Sequence, residues 1–119
     1  MYLFDTYAIL EIIKGNKAYE KFADITIKTS VFNLAELYYV LLSSYDKATA
    51  DYWYGKFNFD LVQVTLETAR KAAYFRFANR KRSLSLIDCI GYVLALEHGL
   101  KFLTGDKQFN GMKGVEFVK

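Results

Sequence analysis

Proline is missing from the chain, cysteine and histidine occur once each, and no stretch of about 18 apolar residues exists. A single cysteine, Cys89, rules out an internal disulfide and fits a reducing, cytoplasmic setting. Without a long apolar run there is no membrane-spanning helix. The N-terminal "MYLFDTYAILEIIKG" also lacks a basic leader followed by a small-residue cleavage site. Cys89 and His98 fall in one helical segment, out of mutual reach, so a Cys–His nucleophile pair is disfavoured. Cys89 reads as a small core residue and His98 as a residue suited to a helix C-terminus. No glycine-rich phosphate loop is present, since "KGNK" has neither the spacing nor the context. The absence of proline has no evident physical meaning.

What remains is a chain of 119 residues, room for one domain with a real core. Apolar residues make up 53% and charged ones 24%, a globular rather than a disordered composition. Sixteen basic and thirteen acidic side chains leave a net charge of +3, which permits nucleic-acid binding without arguing for it. Ten Tyr and ten Phe exceed what a small core needs. The cluster Tyr38, Tyr39, Tyr45, Tyr52, Trp53 and Tyr54 is therefore expected to form part of a partner surface.

Strand and helix patterns alternate along the chain. "MYLF" reads as a first strand, "TYAILEII" as a helix ending at Gly15 and Asn16, and "NKAYEKFA" as a short helix. "DITIKTS" alternates as a second strand, followed by an almost wholly apolar helix over 31–42 and an amphipathic one over 47–57. A third strand is expected over 59–65 and a helix of good formers over 66–82, begun by Thr65 or Thr68. The helix of 83–99 has Ser85 as N-cap and Gly99 at its end. "LKFLT" and an edge-like "VEFVK" complete about five strands. This alternation predicts a single α/β domain over 1–119, a mostly parallel sheet covered by helices on both faces. Ligands in such folds gather outside the carboxyl ends of the strands.

Two acids, Asp5 and Asp106, stand at those ends. Taken singly, each acid has an ordinary explanation. Asp5 precedes a helix and can cap it. Asp88 completes a capping box with Ser85. Asp106 follows Gly105 in turn chemistry. Glu36 lies in the apolar helix "VFNLAELYYVLL", where it either shares a wet stripe with Asn33 or is a costly buried charge. Taken together, the four suit a cleft in which carboxylates repel one another unless a cation intervenes. Carboxylates without Cys or His favour Mg²⁺ or Mn²⁺ over zinc, and such an ion supports phosphodiester hydrolysis. Basic residues concentrate in "ARKAAYFRFANRKRS". Arg80, Lys81 and Arg82 stand shortly before Asp88, and Lys107 beside Asp106. They form either a solvated face or a phosphate-binding surface.

The segments "MYLFDTYAIL", "VFNLAEL", "SLIDCIGYVLALEHG" and "KFLTGDKQF", in this order and spacing, resemble the PIN-domain ribonucleases, especially the small VapC-type toxins. The likeness spans the chain from residue 2 to the last strand. It implies a three-layer α/β/α domain and Mg²⁺- or Mn²⁺-dependent endonucleolytic cleavage of RNA. It also implies a homodimer, and a VapB-like antitoxin that covers the cleft. Asp5 and Asp88 become metal-binding acids, Glu36 the acid of the second motif and Asp106 that of the Thr-x-Asp segment, with Thr6 and Thr104 as supporting hydroxyls. Tyr7 departs from the Asn of many relatives, and Gln108 from a further acid. Gln108 leaves open a catalytically inactive RNA-binding or scaffold module. A receiver-like phosphoacceptor domain also uses strand-end acids, but its paired acids after the first strand and its Lys at the end of the last are missing.

Overall fold

Neighbouring residues of a strand face opposite sides of its sheet, so two consecutive buried apolar residues require cover on both sides. In β1 (Tyr2–Phe4) Leu3 and Phe4 are both fully buried, and each belongs to a different apolar core. Phe102 and Leu103 in β4 (Lys101–Thr104) divide in the same way. A computed structural model describes residues 1–119 and shows the layers that result. One face is covered by α1 (Thr6–Ile13), α2 (Val31–Ser44), α3 (Lys47–Lys56) and a 3₁₀ turn at Lys17–Phe22. The other is covered by α4 (Leu66–Ala78) and α5 (Leu86–Glu97).

All strand pairs are parallel, as the alternating pattern requires. β4 lies between β1 and β5 (Val115–Phe117), while β2 (Ile27–Thr29) pairs with β3 (Phe59–Leu61). β2 packs beside β1 without ladder bonds, and the Thr29 hydroxyl donates to the Phe4 carbonyl (2.8 Å), bridging the two parts. The five strands thus form two hydrogen-bonded groups rather than one continuous ladder. No helix is long and apolar enough to cross a membrane.

The elements expected from sequence are present, with shifted ends. β3 stops at Leu61 instead of running to 65, because its partner β2 ends where Ser30 caps α2. Only the Val62 amide still reaches across, to the Thr29 carbonyl (2.9 Å). α4 stops at Ala78, short of 82. There the side-chain amide of Asn79 donates to the Phe75 carbonyl (2.9 Å) and competes with the next helical turn. Arg80, Lys81 and Arg82 therefore sit in a turn, not on the helix. α5 starts at Ser85 as expected and ends before Gly99, whose φ of +66° suits glycine. Along α5, Gly91 lets the helix approach β4, since a Cβ there would lie 2.9 Å from the Phe102 ring. Truncating a fully buried ring such as Phe102 is expected to cost about 3–5 kcal/mol.

Candidate active site

The carboxyl ends of β1 and β4 are adjacent, so the residues that follow them meet. Asp5 follows β1 and occupies the N-cap position of α1, yet its side chain caps nothing. Instead the Thr104 hydroxyl, at the end of β4, donates to Asp5 Oδ2 (2.7 Å), and the Asp106 amide donates to that same hydroxyl (3.0 Å). The other oxygen, Asp5 Oδ1, is buried without any hydrogen-bond partner. A partnerless buried carboxylate oxygen is costly. The simple capping explanation of Asp5 is therefore wrong for this chain.

The charges of the other three acids act in the same region, Asp88 and Glu36 on Asp5 and Asp106 on Asp88. Asp88 closes a capping box at the start of α5: the Ser85 amide donates to its Oδ2 (2.8 Å) and the Asp88 amide to Ser85 Oγ (3.1 Å). Asp106 accepts from the Gln108 amide (3.0 Å) at the head of a second, short 3₁₀ turn, Lys107–Phe109, that sequence reasoning did not foresee. Glu36 stands half-buried one turn along α2 from Asn33.

Their electrostatics follow from burial and mutual repulsion. Desolvation pushes Asp5 up to about 8, opposed by the Thr104 hydrogen bond and reinforced by the charges of Asp88 and Glu36. The nearby Thr6 amide eases that charge only slightly. Glu36 is raised by burial, opposed by the Thr6 hydroxyl and reinforced by Asp88. Asp88 is raised by burial, opposed by Ser85 and reinforced by Asp106. None of the four forms an ion pair with a Lys or Arg.

No three acidic, cysteine or histidine side chains lie near enough to clasp one ion by themselves. Mg²⁺ does not require such a cage, because it usually keeps several waters and takes one or two carboxylates. The orphaned Asp5 Oδ1, among oxygen-only donors that repel one another, is chemically suited to a hard divalent cation.

Sequence reasoning missed the polar scaffold behind the acids. One of the two readings of the apolar helix put Asn33 on a wet stripe with Glu36, but Asn33 is fully buried. Its side-chain amide donates to Thr6 Oγ1 (3.1 Å), Thr6 Oγ1 donates to the Asn33 carbonyl (3.3 Å), and Ser30 Oγ donates to Asn33 Oδ1 (2.7 Å). Asn33 thereby ties α1 to α2 and fixes the Thr6 hydroxyl beside Glu36. The available signal was an amide in an otherwise apolar helix, three residues after a capping serine.

The basic candidates divide. Arg82 reaches over to donate to the Gln108 carbonyl (2.8 Å), which brings it beside Lys107 and the Asp106 turn. Arg80 folds back, donating to the Phe77 carbonyl (3.0 Å) and lying 4.5 Å from the centre of the Phe77 ring. Lys81 and Lys107 are exposed. Cys89 is buried in the core and His98 caps α5 at the surface, as expected. Of the aromatic cluster, Tyr39, Tyr45 and Tyr52 are exposed. Tyr38, Trp53 and Tyr54 instead pack partly against the core beneath α2 and α3.

The family model for the PIN domain matches residues 2–115. No curated protein matches the sequence. Among solved structures, the fold is similar to Mycobacterium tuberculosis VapC20, a toxin that cleaves the Sarcin-Ricin loop. The TM-score is 0.81 at 16% identity, with both chains covered completely. It is also similar to VapBC2 from Rickettsia felis, solved on a DNA fragment from its promoter (TM-score 0.77, 17% identity, 99% of this chain and 98% of that one). A toxin–antitoxin complex from Klebsiella pneumoniae matches with a TM-score of 0.72 at 20% identity, over 98% of this chain and 96% of that one. At such identities the likeness establishes the fold.

Proposed function

This chain belongs to the PIN-domain family, and on that premise we propose that it is a metal-dependent endoribonuclease, the toxin of a VapBC-type toxin–antitoxin pair. The observation that carries the reading is the buried, partnerless Oδ1 of Asp5 among carboxylates that no cation of the protein neutralises. Evolving such a set has a stability cost, which a bound divalent ion removes. Asp5, with at most one further acid, would hold Mg²⁺ or Mn²⁺ directly, and the others of Asp88, Asp106 and Glu36 would act through waters that the ion keeps. When bound, the ion supplies charge stabilisation at the phosphoryl oxygens and lowers the pKa of water near it.

The protein's own groups do the rest. Thr104 holds Asp5 by one oxygen and leaves the other free. Ser85 does the same for Asp88 through Oδ2. Asn33 orients Thr6, whose hydroxyl stands beside Glu36, and Glu36 is placed to orient the attacking water and draw off its proton. Water adds to phosphorus in line, the P–O bond to the ribose oxygen on the far side breaks, and that oxygen takes a proton from solvent. Arg82 and Lys107 beside the Asp106 turn, with Arg80 and Lys81, hold the RNA backbone against the cleft.

The solved neighbours support a VapB-like antitoxin as partner. The exposed Tyr39, Tyr45 and Tyr52 offer a surface for it or for a second copy of this chain. A strictly monomeric protein at high concentration would count against the homodimer. Gln108, where many relatives carry an acid, favours the rival reading of an inactive RNA-binding module.

One experiment separates the two: purified protein and its Asp5→Asn variant incubated with RNA and Mg²⁺. Cleavage by the first and none by the second is expected. Equal cleavage by both, or none by either, overturns the nuclease reading.

A further inference from the structure

The cations of α4 are treated differently at its two ends. Near the start, Arg70 is paired with Glu67 (2.6 Å) and Lys71 with Glu97 (3.3 Å). Near the end and in the following turn, Arg76, Arg80, Lys81 and Arg82 have no carboxylate partner. Free cations in a row on one side of a cleft attract a polyanion.

Two apolar side chains interrupt that row. Phe77 is 63% exposed and Leu86 is 48% exposed, far more than an ordinary core-directed residue. They flank a groove of about 560 Å³ together with Ala73, Arg76, Arg80 and Ser85. The Arg80 guanidinium lies over the Phe77 ring, 4.5 Å from its centre, and is anchored to the Phe77 carbonyl. Ser85, at the other wall, is hydrogen-bonded to Asp88. The groove therefore borders Asp88, one of the four acids, through the residue that caps its helix.

An exposed aromatic ring with a guanidinium over one face and cations without a carboxylate partner around it is an arrangement that stacks the bases of single-stranded nucleic acid on its open face. We propose that the groove of Phe77, Arg80 and Leu86 is a nucleobase subsite, which takes an unpaired base next to the scissile phosphate of a single-stranded or looped RNA. Arg76 and Arg80 contact the flanking phosphates, while Phe77 stacks on the base. A base still stacked in a duplex cannot enter, so the subsite selects loops and open strands. The inference rests on the nuclease reading for the position of the scissile phosphate; the groove itself does not depend on it.

The test uses a short single-stranded RNA carrying one 2-aminopurine, in EDTA so that no metal-dependent cleavage proceeds. Binding is expected to quench the fluorescence by stacking. Phe77→Ala should weaken binding about tenfold and abolish the quench, while Phe77→Trp retains both. Arg80→Gln should weaken binding at all sequences and lower the salt slope by about one, with Arg70→Gln unchanged. A duplex of the same sequence should bind more weakly. Equal binding and quenching by Phe77→Ala, or equal binding of duplex, overturns the proposal. So does loss of binding to an antitoxin-like peptide while RNA binding is unaltered, because the groove then serves a protein. Failure of the unaltered protein to cleave RNA with Mg²⁺ overturns the nuclease reading instead and leaves the stacking result standing.

Discussion

The acids of the outer helices and those at the strand ends have the same chemistry and opposite treatment. On α3, Asp51 accepts from the Tyr38 hydroxyl (2.5 Å) and from Lys47 (2.8 Å), and Asp46 caps the helix through the Thr49 amide (2.8 Å). On α4, Glu67 takes both arms of Arg70. Each of these carboxylates is held below its ordinary range by its hydrogen bonds. In the cleft beyond the strand ends Asp5, Glu36 and Asp88 are pushed the other way, by burial and by neighbouring acids. The chain satisfies an acid when it has only structure to serve. Where it gathers several with no cation of its own, and leaves an oxygen of Asp5 without any partner, the missing partner comes from outside the chain.

The contrast is broken most severely at Asp5. Asp5→Asn should lower metal-dependent RNA cleavage at least about a thousandfold, the several kcal/mol that a lost metal ligand removes. The same substitution should make the metal-free protein more stable. The folded protein retains the Asp5 proton up to about pH 8, whereas the unfolded chain releases it near 3.8. In EDTA, stability therefore falls as pH rises across that window. Asparagine carries no such charge, so the gain in Tm should be small at pH 5 and about 5 °C or more at pH 8. A variant less stable than the parent at pH 8 in EDTA would refute the unsatisfied-charge argument.

Asn33→Ala sharpens the comparison from behind the acids. It leaves Thr6 and Ser30 without their buried partner. Chemical denaturation should show a loss of about 2 kcal/mol, with a drop in cleavage rate at unchanged KM. Asp51→Asn lies at the other extreme. Its pair is exposed, so stability should move by no more than about 0.5 kcal/mol, and cleavage should not change.

Much of this was legible beforehand, because strand–helix alternation, the Ser85 cap and the strand-end positions of Asp5 and Asp106 are local signals. The three-layer architecture followed from them. Element ends were less legible. Whether β3 continues past Leu61 depends on the length of β2, and whether α4 continues past Ala78 depends on an Asn79 side chain that competes with the helix. The role of Asn33 was only faintly legible, for a related reason. A polar residue on a helix reads as solvent-facing until the neighbouring helix supplies a hydroxyl, and Thr6 is 27 positions away. The uneven pairing of cations along α4 was equally hidden, since Glu97, the partner of Lys71, belongs to a different helix.

The most direct measurement is a calorimetric titration of the metal-free protein with Mn²⁺ at neutral pH, beside its Asp5→Asn variant. The account predicts saturable heat with proton release for the first and no saturable binding for the second. No saturable heat with either protein, or the same heat with both, would contradict the claim that these strand-end carboxylates are kept apart from any protein cation in order to receive a divalent one.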